Sequence, residues 1–97
     1  MEITNISNSE VTIEGHIKTI EDYQKIKQAL NAIIVDGQKK ITINIPQSLT
    51  MTSSVIGYLL KLVFENKIDL SIMVKDEKLL NLLDVLNLVA VFKVKKM

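Results

Sequence analysis

The chain has 97 residues, 47% of them apolar and 24% charged, with a formal net charge of +1. That is one ordinary globular domain, with enough chain for one core, and it is not the composition of a disordered tail. All twelve basic residues are Lys, and Cys and Trp are both missing. Planar Arg readout of phosphate or base and a stacking platform for nucleic acid are therefore disfavoured, and disulfides, thiolate chemistry and Cys-based metal sites are excluded.

Ile3 to Ser7 and Glu10 to Gly15 read as two short strands joined by a tight turn at Asn8-Ser9. Val11 and Ile13 alternate with Thr12 and Glu14, the period of a half-buried strand. Nothing in this opening stretch has the basic start and long apolar run of a signal peptide. With no cysteine in so small a domain, a reducing, cytoplasmic location is expected.

Thr19 to Val35 reads as a helix, with Ile20, Tyr23, Ile26, Leu30, Ile33 and Ile34 on one face. Thr19 suits the N-cap, Asp22 completes a capping box, and Gly37 marks the stop. Lys40 to Ile45 is the clearest strand, with Ile41, Ile43 and Ile45 alternating with polar neighbours, and Pro46 ends it. A polar loop, Gln47 to Thr52, leads to a second helix, Ser53 to Glu65. Its apolar arc is so wide that the helix is expected to be nearly surrounded by protein. Gly57 in its interior suggests close packing on the sheet, and Ser53 is placed to cap it.

Leu70 to Val74 forms the next strand, Asp76 caps a third helix through Leu86, and Val89 to Val94 reads as the last strand. The order is β-β-α-β-α-β-α-β. Single helices between strands make those strands parallel, and the opening hairpin adds an antiparallel pair. The fold class is a single-domain α/β protein with a mixed, mostly parallel sheet. The apolar stretch Ile56 to Phe64 is too short to span a bilayer, so no direct membrane insertion is expected.

The segment IPQSLTMTSSVIGYLLKL, Ile45 to Leu62, resembles the signature segment of STAS domains, the fold of bacterial anti-sigma factor antagonists. The run Thr52-Ser53-Ser54-Val55-Ile56-Gly57 stands at the family's strand–loop–helix start. VTIEGHI at 11–17 resembles its second strand, and LLDVLNLVAVFKV at 82–94 its last helix and final strand. The resemblance extends over essentially the whole chain and implies a protein-binding module. Its partner would be an anti-sigma serine kinase, and Ser53 would be the phosphoacceptor that ejects it. The implied partner surface comprises Gln47, Ser48, Thr52, Ser53, Ser54 and Ile56.

The chain departs from the family in three places. Thr52 replaces the usual Asp, Val55 replaces a Gly, and the customary closing helix has no counterpart. The missing carboxylate fits an unswitched binder, such as the STAS subunits of lipid-transporting ABC ATPases. On residue types alone, Thr52, Ser53 and Ser54 are simply a helix cap.

No enzyme is expected. His16 is the only histidine and has no nucleophile–acid pair around it, and the aspartates are dispersed at caps and loops. No Gly-rich phosphate loop and no cofactor or metal-ligand cluster is visible. The oligomeric state reads as monomer or weak dimer.

Overall fold

The computed structural model describes residues 1–97. The elements are β1 (Glu2–Ser7), β2 (Glu10–Glu14), α1 (Ile20–Val35), β3 (Lys40–Ile45), α2 (Ser53–Phe64), β4 (Asp69–Val74), α3 (Glu77–Val85) and β5 (Val94–Lys96). They form one five-stranded sheet in the order β1-β2-β3-β4-β5. The β1–β2 pair is antiparallel and the other three pairs are parallel.

Register aligns Val11, Ile43, Ile72 and Val94 on one face, beside Ile41 with Leu70 and Ile45 with Val74. All of these are buried and share one core with Ile26, Leu30, Val55, Leu59, Leu79 and Leu83 from the three helices. Each such side chain contributes on the order of 1.5–3 kcal/mol by leaving water. The neighbouring register row, Thr4, Thr12, Asn44, Met73 and Lys95, lies on the opposite, polar face. The strand order advances in one direction, so right-handed crossovers put every helix on the same side. The result is a two-layer α/β domain with an open polar sheet face. On that face Asn44 donates to the Glu10 carboxylate at 2.7 Å.

Helix α1 starts on the capping box read in the sequence. Thr19 accepts from the Asp22 N–H at 3.1 Å, and the Asp22 carboxylate accepts from the Thr19 and Lys18 N–H groups at 3.0 and 2.9 Å. Those donors hold the Asp22 carboxyl below its ordinary value of 3.8. Gly37, at φ 95°, terminates the helix. Gly15 ends β2 at φ 86°, and a Cβ there would stand 3.2 Å from the Met1 Cα. Only glycine fits both demands.

Four expectations need correction. The last strand is not Val89 to Val94. Leu88 to Phe92 forms one helical turn, with the Phe92 N–H on the Leu88 carbonyl at 2.9 Å. This turn buries Leu88 and Phe92, spaced four apart, and Lys93 at φ 48° then reverses the chain into β5. Helix α2 is capped by Thr52, whose hydroxyl accepts from the Val55 N–H at 3.3 Å, and not by Ser53. Nor is α2 surrounded: Ser53, Gly57, Lys61 and Phe64 form an exposed stripe. Gly57 meets no atom within 4 Å of a Cβ built on it, so close packing on the sheet is not its role.

Candidate partner surface at the start of helix α2

The three parallel crossovers run from β2, β3 and β4 into α1, α2 and α3. The N-termini of all three helices therefore gather at the carboxyl ends of the strands. Each helix start brings unpaired N–H groups and a partial positive charge to that end. Thr19, Thr52 and Asp76 cap the three helices in turn.

The caps differ in charge. The first turn of α1 carries Glu21 and Asp22, and that of α3 carries Glu77. The first turn of α2 carries no acidic residue. The partial positive charge of its N-terminus is therefore uncompensated by its own side chains. Ser53 and Ser54, the first two helical residues, are exposed there.

The loop that delivers this helix is clamped. The Gly15 N–H donates to the Gln47 side-chain carbonyl at 2.6 Å. The Ile17 N–H donates to the Ser48 hydroxyl at 3.1 Å, and that hydroxyl donates to the Thr50 carbonyl at 2.7 Å. Ser48 is fully buried, at 0% exposure. Ser48 is therefore removed from the partner surface: its oxygen is committed to the chain's own backbone. Met51 is buried beyond it, while Leu49 stands 42% exposed at the loop tip.

The other five expected surface residues are at least partly open to solvent. Gln47, Ser53 and Ser54 are exposed, and Thr52 and Ile56 are half-buried beside them. Pro46 and the start of α3, Asp76 to Lys78, border an open hollow of about 500 Å³ next to the loop. Leu49, Gly57 and Phe64 are exposed as well, Phe64 at the far end of α2. Spacing alone carried a signal for the last two, since Ser53, Gly57 and Phe64 project within a narrow angle on a helical wheel.

Helix α2 is fixed to α1 by an edge-to-face contact between Tyr58 and Tyr23, with ring centroids 6.4 Å apart at 80°. Burial, with Tyr23 beside it, raises the Tyr58 phenol above 10.0. His16 is exposed on the loop after β2. No group of three or more His, Asp or Glu side chains could hold a metal ion. No helix is long and apolar enough to cross a membrane. Compared with known proteins, the chain matches no family model, no curated protein and no solved structure.

Proposed function

We propose that the chain is a non-enzymatic, STAS-like protein-binding module of the anti-sigma factor antagonist type, acting in the cytoplasm. Its partner is a serine-kinase anti-sigma factor. The docking surface is Gln47, Thr52, Ser53, Ser54 and Ile56, and Ser53 is the phosphoacceptor. The observation that carries this reading is the exposure of Ser53 on the uncompensated N-terminus of α2, behind a loop clamped by Ser48.

The physics of a phosphate there is favourable within the chain and unfavourable across an interface. It adds about −1.5 to −2 charge. The α2 end tolerates that charge, gaining roughly 0.3–1 kcal/mol. The same group in the middle of a contact must be desolvated against a partner, which expels it. The domain therefore stays folded while the surface changes.

A second reading rests on Thr52. Its hydroxyl serves the cap, and no carboxylate precedes Ser53 to present it to a kinase. This favours a constitutive subunit of a lipid-transporting ABC ATPase, bound through the same surface without a switch.

Affinity purification from the native cell, with mass spectrometry of partners and of Ser53, separates the two. A co-purifying serine kinase with phosphate on Ser53 supports the switch. A transporter ATPase with unmodified Ser53 supports the constitutive subunit. Partners of neither class sink both.

A further inference from the structure

The two edges of the sheet are unlike. The β5 edge is three residues long, exposes Lys95 and Lys96, and is tied down by ion pairs from Lys96 to Glu77 and from Lys93 to Asp69. Short length and lysine are how an edge strand is kept from pairing with another chain. The β1 edge is six residues long, EITNIS, with no lysine and no proline, and five of the six are exposed. The bulge between Asn5 and Ser7 leaves Ile6 without a partner on β2 and 56% exposed.

Helix α1 presents a matching stripe to this edge. Lys25, Ala29, Ala32 and Asp36 recur at helical spacing on its β1 side. Two open grooves run between α1 and β1. One, about 470 Å³, runs from Glu2 to Lys25 and Ala29. The other, about 460 Å³, runs from Asn8 to Ala32 and Asp36. Asn5 lines both, so it lies level with the midpoint between Ala29 and Ala32. Neither Lys25 nor Asp36 enters an ion pair within the chain, whose only two pairs lie at the other edge.

We propose that the β1 edge is the interface of a homodimer, in which two copies pair antiparallel about a two-fold axis near Asn5. The occupant is a second copy because the stripe is complementary to itself. A two-fold axis perpendicular to the sheet keeps both helix layers on the same side. It brings the first groove of one copy against the second groove of the other. Lys25 then faces Asp36 of the second copy at each end, and Ala29 faces Ala32 in the middle. Small residues at the centre let the two α1 helices approach, and the two sheets become one. Ile6 is covered at the seam.

The test is sedimentation equilibrium of the full chain at low salt, up to about 100 µM, a range that captures a weak dimer. The wild type is expected at twice the 10.9 kDa chain mass. Lys25→Glu and Asp36→Lys each place like charges opposite one another and weaken dimerisation about tenfold or more. Mixing the two variants one to one restores attraction at both ends, so a heterodimer forms. The double reversal in one chain restores the homodimer. Lys25 is exposed on α1 and Asp36 is exposed at its C-cap, and far-UV circular dichroism checks that the variants stay helical. A monomer at every concentration, a dimer indifferent to the reversals, or no rescue on mixing overturns the proposal.

Discussion

Ser48 and Ser53 stand five residues apart in one polar stretch and have opposite fates. Ser48 is buried and bonded to the backbone on both sides, accepting from Ile17 and donating to Thr50. Ser53 is exposed on the first turn of α2. The first serine builds the site and the second presents it. A hydroxyl that closes a buried N–H is a structural group, because removing it strands a donor away from water. A hydroxyl left in water at a helix end is free for a partner or a phosphate.

The comparison is sharpest in stability. Ser48→Ala strands the Ile17 N–H and is expected to lower unfolding free energy by about 1–3 kcal/mol in urea titration. Ser53→Ala leaves the Thr52 cap in place and should stay within about 0.5 kcal/mol of wild type. Equal losses for the two would end the distinction drawn between them.

The next largest effect lies where the clamp meets α1. Asp22→Ala breaks the capping box and should cost about 1 kcal/mol. The Asp22 carboxyl is held below 3.8 in the folded chain by the Lys18 and Thr19 N–H groups. Its contribution is therefore full at pH above the unfolded value and is lost as the pH falls through the folded one. Acid titration of Asp22→Ala should accordingly lack part of the stability loss that the wild type shows below pH 3.8.

A smaller effect of opposite sign is expected at Gly57. It lies in the interior of α2 with open space where a Cβ would go. Gly57→Ala should raise thermal stability by about 0.5–1 kcal/mol. If the Ser53, Gly57, Phe64 stripe is the docking face, the same change weakens partner capture while strengthening the fold. A gain in stability with capture untouched would take Gly57 out of the interface.

Much of the fold was legible in the sequence because periodicity carries it. Ile41, Ile43 and Ile45 declare a one-sided strand, and Thr19 with Asp22 declares a helix start. Val89 to Val94 was misread because a five- or six-residue apolar run carries no decisive period. Phe92 inside it and Leu88 just before it, four apart, carry the helical signal. Ser48 escaped because its hydroxyl is engaged by the Ile17 N–H, some thirty residues away in sequence, and a serine in a polar loop carries no mark of that. The wide apolar arc of α2 hid its exposed stripe, since hydrophobicity counts Phe64 as core while the fold leaves it 58% exposed.

The most direct measurement compares Ser53→Asp with Ser53→Ala as bait, quantifying one and the same co-purifying partner by mass spectrometry. With both variants shown to be folded, alanine should hold that partner as the wild type does, and aspartate should release it. Undiminished capture by the aspartate variant would mean that the mouth of α2 is not where this protein meets its partner.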